Sequence, residues 1–337
     1  MIGAIFGDIV GSRFEFNNHL SKDFRLLIPG RNTFTDDSVM SCAVAKAILD
    51  CKGDYGKLSE KAVAAMQHIG RQFPNCGYGR KFIEWMFTDN PEPYNSCGNG
   101  SAMRISAVGF AAKNVEQAKE MSAAVTCISH NHPEGMKGAE ATAVAIVLAR
   151  EGKSKEQIKQ YVEGNYGYDL STSVDEYREN CRGHGKEICQ VSVPQAFACF
   201  LEGRDFLDVI RNCISIGGDS DTIAAIAGGI AEAYFGFPTF CEDAAEQFLD
   251  KRLLEIVQDF EKQFPGKRKN YEVFDTEQAM DDYANDVISC LVNAADYEYT
   301  ETTAMQLVTN HPDRLRDELN EGHDPCTAAI RMGYTCG

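Results

Sequence analysis

Two short stretches of the sequence carry the same chemistry. Gly217-Gly218-Asp219-Ser220-Asp221-Thr222 sets two glycines before two aspartates and a threonine, and Thr35-Asp36-Asp37-Ser38 repeats the paired carboxylates and the hydroxyl. Both run straight into a helical pattern. After the first, Ile223, Ile226, Ala227, Ile230, Ala231 and Tyr234 recur at helical spacing; after the second, Met40, Ala43, Val44, Ala47 and Ile48 do. Taken singly, either stretch is explained by helix capping, with a hydroxyl on free N–H groups and acids complementing the helix dipole. Its recurrence at two distant helix starts points instead to a shared site for hard cations, because every donor is an oxygen.

The elements that must position these groups are helices. Residues 2 to 16 read as a helix with Gly3, Gly7 and Gly11 on one face, where another backbone can come close; Asp8 and Glu15 lie on nearly one face of it. That helix is either a tightly packed core element ending in a solvated acid, or the element that carries Glu15 to the cation site. A polar loop over 17–34 leads to Thr35. Further helices are expected over 56–72, 82–87, 102–112, 115–128, 136–151, 154–165, 174–181, 193–201, 205–213 and 241–260. Between them, Gly98-Asn99-Gly100-Ser101 is a glycine-rich loop feeding a helix start, either a plain turn or a seat for phosphate. Ser129-His130-Asn131-His132-Pro133 brings two histidines beside a proline turn, better read as capping or stacking groups than as metal ligands. Gln263-Phe264-Pro265-Gly266-Lys267-Arg268 marks a boundary: a domain over 1–265, then a small extension over 270–337 with helices at 276–294, 301–309, 312–321 and 325–332. Strand signals are almost absent, and the fold class is all-α.

Composition narrows the partners. The chain has 337 residues and a formal net charge of −17. Such acidity argues against a general nucleic-acid binder or an anionic-membrane binder, and leaves a small anionic substrate only where a metal supplies positive charge. The 13 cysteines are scattered, with no C-x-x-C, and many fall in apolar helical patterns. They read as reduced core thiols of a soluble, cytoplasmic protein. The first ten residues lack a basic region and carry Asp8, unlike a signal peptide.

Gly7-Asp8-Ile9-Val10-Gly11-Ser12-Arg13-Phe14-Glu15-Phe16, Thr35-Asp36-Asp37, Gly98-Asn99-Gly100-Ser101-Ala102-Met103-Arg104, Ser129-His130-Asn131-His132 and Gly217-Gly218-Asp219-Ser220-Asp221-Thr222 occur in this order. Together they resemble the ADP-ribosylglycohydrolase family, which includes dinitrogenase reductase-activating glycohydrolase, over residues 1 to about 260. The resemblance implies an orthogonal helical bundle with a binuclear Mg²⁺ or Mn²⁺ centre, and a hydrolase that frees ADP-ribose from a modified protein side chain or a small ADP-ribosyl compound. Carried over by motif, the metal ligands are Thr35, Asp36, Asp37, Asp219, Asp221 and Thr222, with Glu15 bound or close by. Catalysis falls to Glu15, Asp36 and Asp221. Gly98, Asn99, Gly100 and Ser101 hold the diphosphate, His130 lies along the ADP-ribose, and Tyr78 meets the adenine edge. Five carboxylates (Glu15 with the four aspartates) nearly balance two divalent ions. The competing readings are a relative that keeps the fold without catalysis, and a binuclear-metal hydrolase of another nucleotide-like substrate.

Overall fold

The glycine face of the first helix explains the central contact of the fold. In the computed structural model, which describes residues 1–180, 186–269, 277–293 and 299–311 with 314, 315, 318, 325, 328, 329 and 332, this face meets another backbone directly. A Cβ built on Gly7 would stand 2.1 Å from the carbonyl oxygen of Ala224, and one on Gly11 would stand 2.4 Å from the Cα of Asp221. No side chain fits there, so two helices pack main chain to main chain.

The helices run in chain order as α1 (Ile2–Gly11), α2 (Asp36–Cys51), α3 (Leu58–Gly70), α4 (Arg80–Phe87), α5 (Gly100–Met103), α6 (Ser106–Ala111), α7 (Val115–Thr126), α8 (Pro133–Arg150), α9 (Lys155–Tyr166), α10 (Val174–Glu179), α11 (Cys189–Glu202), α12 (Phe206–Ser215), α13 (Ser220–Phe235), α14 (Glu242–Gln247), α15 (Lys251–Gln263), α16 (Glu277–Asn293) and α17 (Glu301–Asn310). The described strands are two segments of two residues each. The all-α class therefore holds.

Two helices form the inside of the main body. All but two residues of α13 are buried, and α8 is buried along most of its length, as helices apolar on every side must be. α13 packs on α1, α8, α11 and α12, while α8 also holds α5, α6 and α7. Local chemistry sets the ends of these helices. His132 caps α8, its Nδ1 accepting from the N–H of Glu134 at 3.1 Å, with Pro133 at the first helical position. Ser154 and Gln157 form a reciprocal cap at the start of α9. His132 is thus a cap, as expected.

The chain divides into two units. One comprises Met1–Lys22, Pro29–Phe237 and Ala245–Lys267; the other comprises Asp23–Ile28, Pro238–Ala244 and Arg268–Gly337. The second has its own apolar cluster, with Val287 and Leu291 of α16 against Ala304 and Val308 of α17. The expected helices at 312–321 and 325–332 fall largely outside the described residues.

Four expectations about helices need correction. The first helix stops at Gly11 rather than 16, because the N–H of Phe14 bonds the Gly11 carbonyl in a tighter turn and Ser12 Oγ bonds back to Ile9. The helix expected over 102–112 is two short ones, broken at Arg104 and Ile105. Pro194 lies inside α11, which starts at Cys189. The helix expected over 241–260 is interrupted, and Asp250 caps a new start by accepting from the N–H of Arg252 at 2.9 Å.

Candidate metal centre and cavity

The contact between α1 and α13 brings the two acidic helix starts together. Asp36 and Asp37 open α2, capped by Thr35, whose Oγ1 accepts from the N–H of Asp37 at 3.3 Å. Gly217 and Gly218 both take positive φ (68° and 79°), which turns the chain onto Asp219 at the head of α13. Asp219 makes no side-chain cap bond to its own helix. Its carboxylate is instead held by the side-chain amide of Asn99, which also donates to Ser192 Oγ at 2.8 Å. Thr222 Oγ1 donates to Asp37 Oδ2 at 3.3 Å and closes the gap between the two stretches.

Asp8, inside α1, is the residue that the sequence reading left without a role. It accepts from the N–H and Oγ1 of Thr35 at 2.9 and 2.7 Å, from the N–H of Ser38 at 3.0 Å, and from the Ser38 hydroxyl. One carboxylate thus locks the α2 start onto α1. A charged residue midway along a glycine-faced apolar helix is its signal in the sequence. Glu187 was also missed. It lines the cavity, and its carbonyl accepts from the N–H of Asn99 at 3.3 Å.

The electrostatics are those of carboxylates crowded together out of water. Burial, then mutual repulsion, drives the Asp36, Asp37 and Asp221 carboxyls well above the ordinary carboxylate range. Asp8 rises by burial despite its hydrogen bonds. Glu15 is pushed up to about 7 by burial and by Asp219, Glu187 and Asp8. Such groups hold protons unless a cation replaces them. One oxygen tests the fit directly: Asp37 Oδ1 is buried with no hydrogen-bond partner among the described residues. An unpartnered buried carboxylate oxygen costs free energy that a metal ion would remove. Among the described residues, two clusters of carboxylates could hold a cation, Asp8 with Asp37 and Asp221, and Glu15 with Asp219 and Asp221. In each, one oxygen per residue lies within 4.8 Å of the others, and Asp221 is common to both. The donor set is all oxygen, which fits a hard divalent ion.

Glu15, Asp36, Asp37, Asp219 and Asp221 line a cavity of about 330 Å³, while Asp8 is buried outside its lining. Phe82, Tyr94, Arg104 and His130 line it too, with Arg80 and Lys81. This pairing of acids with aromatic rings and cations can take a ligand with both a polar and a flat, apolar part.

A family profile described as ADP-ribosylglycohydrolase matches residues 1–270. The chain belongs to the ADP-ribosylglycohydrolase family. Among its relatives, the human ADP-ribosylhydrolase ARH3 is 26% identical over 308 residues, spanning 70% of this chain and 84% of the human protein. The ADP-ribosylarginine hydrolase Tri1 of Pseudomonas putida (strain GB-1) is 24% identical, spanning 70% of this chain and 69% of its own. A solved chain titled ADP-ribosylglycohydrolase-related protein complex superposes with a TM-score of 0.56 at 22% identity, covering 77% of this chain and 96% of that one, and supports the fold. No helix among the described residues is long and apolar enough to cross a membrane.

Within the ADP-ribosylglycohydrolase frame, the expected site residues fall into three groups. Glu15, Thr35, Asp36, Asp37, Asp219, Asp221 and Thr222 all line the one cavity, Glu15 from the turn after α1. Gly98, Asn99, Gly100 and His130 line it as well, but Ser101 does not. Ser101 is fully buried, its hydroxyl spent on the carbonyl of Gly135 at 2.9 Å. The N–H groups of Gly98, Asn99 and Ser101 bond Ser96, Glu187 and the Gly98 carbonyl. The loop is therefore not an open row of donors, as a phosphate seat read from its glycines would be. Tyr78 is buried against Phe82 with ring centroids 5.8 Å apart, and it is absent from the lining, where Tyr94 stands instead.

Proposed function

We propose that this chain is a metal-dependent ADP-ribosyl-acceptor hydrolase. It would bind two Mg²⁺ or Mn²⁺ ions at the joined helix starts and cleave the bond between the distal ribose of ADP-ribose and an acceptor. The acceptor is a protein side chain such as arginine or serine, or a small compound. The observation that carries this reading is the carboxylate pair of clusters sharing Asp221, open to a cavity with aromatic and cationic walls. Family membership and the relatives' names support it.

Asp37, Asp219 and Asp221 of the two clusters, with Asp36 and the hydroxyls of Thr35 and Thr222 beside them, would hold the ions; Asp8, a member of the first cluster, would also hold Thr35 and Ser38 in place. Bound there, divalent ions supply a lowered pKa for water and orientation of ribose hydroxyls. Glu15 sits at the cavity with a carboxyl displaced to about 7. In the metal-free protein it therefore holds its proton up to near neutral pH, and bound cations would draw it toward the ionised form, in which it can accept a proton from water. Asn99 keeps Asp219 aimed at the cavity. Arg104, Tyr94 and Phe82 give the adenosine and diphosphate portion a wall of charge and rings.

The deciding experiment offers ADP-ribosyl-arginine, ADP-ribosyl-serine and simple phosphoesters to the protein with Mg²⁺ or Mn²⁺, and follows release of ADP-ribose. Release of ADP-ribose from either modified amino acid supports the reading. Turnover of the phosphoesters alone, or none at all with both metals, refutes it.

A further inference from the structure

The break between α5 and α6 leaves a charged side chain inside the protein. Arg104 is 1% exposed. Among the described residues its side chain makes one hydrogen bond, from Nη2 to Ser129 Oγ at 2.8 Å, and its Nε is buried without a partner. The guanidinium also stands over the Phe82 ring, 5.4 Å from its centre. Ser129 Oγ in turn lies 2.9 Å from His130 Nδ1.

The donor and acceptor count fixes the direction of this chain of bonds. Arginine can only donate, so Arg104 takes a lone pair of Ser129 Oγ. The serine's own hydrogen then has His130 Nδ1 as its one acceptor among the described residues. The reverse arrangement would leave that hydrogen buried with nothing to bond, which is costly. Nδ1 therefore accepts, and the imidazole proton sits on Nε2. Burial, and then the charge of Arg104, hold His130 well below its usual value, so the ring stays neutral. Tyr94 meets it edge-on at 5.7 Å and fixes its plane. Nε2 faces the glycine loop on the cavity wall: a Cβ built on Gly100 or Gly98 would stand 3.2 or 3.5 Å from it.

We infer that Arg104 acts through Ser129 as a positioning residue. It fixes His130 as the Nε2–H tautomer, so that the ring offers a hydrogen-bond donor to an oxygen of the ADP-ribosyl ligand. The inference rests on the proposed function for its ligand, and on the hydrogen-bond geometry alone for its tautomer.

Nitrogen-15 NMR of imidazole-labelled protein reads the tautomer without any turnover. In the parent, His130 should show a protonated Nε2 and a bare Nδ1. Ser129→Ala removes the relay with the loss of one buried oxygen, and should give a mixture of tautomers. Arg104→Lys keeps a donor toward Ser129 and should retain the parent tautomer. Calorimetry with ADP-ribose and Mg²⁺ should show Ser129→Ala weakening affinity roughly three- to tenfold, the size of one hydrogen bond. A proton on Nδ1 in the parent, or an unchanged tautomer in Ser129→Ala, overturns the positioning role. A changed tautomer with unchanged ADP-ribose affinity overturns the donor role. If the parent fails to bind ADP-ribose at all, the functional reading falls and takes the donor role with it, while the NMR result still decides the tautomer.

Discussion

Replacing Glu15 by glutamine should make the metal-free protein more stable while destroying its activity. The carboxyl is half-buried among like charges, and it moves from 4.5 to about 7 on folding. At about 1.36 kcal/mol per pH unit, the whole displacement corresponds to about 3 kcal/mol. The side chain is partly in contact with water, so screening leaves about half of that, ~1–2 kcal/mol. The sign follows from where each state loses its proton. Well below 4.5 the group is neutral in the folded and the unfolded chain and costs nothing. As the pH rises toward 7, the unfolded chain ionises first, and the folded state bears a growing penalty that is complete above 7. Glutamine carries no such penalty. Calorimetric unfolding after chelation, at about pH 5 and about pH 8, should therefore show Glu15→Gln gaining roughly 2–5 °C over the parent at the higher pH and little at the lower. Saturating Mg²⁺ should reverse the order, because the parent then has cations to offset its charge. Hydrolysis should fall by on the order of a hundredfold or more, with ADP-ribose affinity within about tenfold. A variant equally displaced at both pH values, or less stable than the parent without metal, would refute the argument.

Asp36→Ala or Asp221→Ala should lose on the order of a hundred- to a thousandfold in turnover at saturating metal, with the helical circular-dichroism spectrum kept; near-normal turnover would remove that residue from the ligand set. The parent should bind Mg²⁺ more weakly as the pH falls and should release protons on binding, because buried carboxyls held above their usual range must give up protons to the ion; calorimetry in buffers of different ionisation heat measures this. Gly11→Ala should depress activity far more than Gly164→Ala on α9, since its Cβ would stand 2.4 Å from the Asp221 Cα whereas one on Gly164 would meet nothing within 4 Å, and a crystal structure of the Gly11 variant should show α1 displaced from the head of α13.

Much of the candidate site was legible in the sequence because helix starts are local. Thr35-Asp36-Asp37 and Asp219-Ser220-Asp221-Thr222 announce themselves by cap chemistry next to apolar periodicity, and Gly3, Gly7 and Gly11 announce a close backbone approach. What spacing does not carry is which groups spend their hydrogen bonds inside the protein. Asn99 looks like a ligand-loop residue, yet its amide holds Asp219 and Ser192. Ser101 looks like a phosphate donor, yet it is bonded to Gly135. Asp8 looks like an incidental helix acid, yet it accepts from both Thr35 and Ser38 across the fold. These assignments depend on partners far away in the chain. Helix ends slipped for a related reason: a tight turn after Gly11, a break at Arg104 and a new cap at Asp250 are set by local hydrogen bonds and backbone turns rather than by periodicity.

The main-chain seam between α1 and α13 also governs when the centre can exist. Asp37 and Thr222 are 185 positions apart, and Gly11 and Ser220 are 209 apart. Closing a contact over such a stretch is entropically late and slow compared with forming the individual helices. Neither half of the cation site is complete until that closure has happened, so an ion that bridges them can recognise only the closed chain. By mass action it then deepens the final state without helping any earlier one. Metal should accordingly slow unfolding far more than it speeds folding, and loss of the ion and departure of the first helix become a single kinetic event.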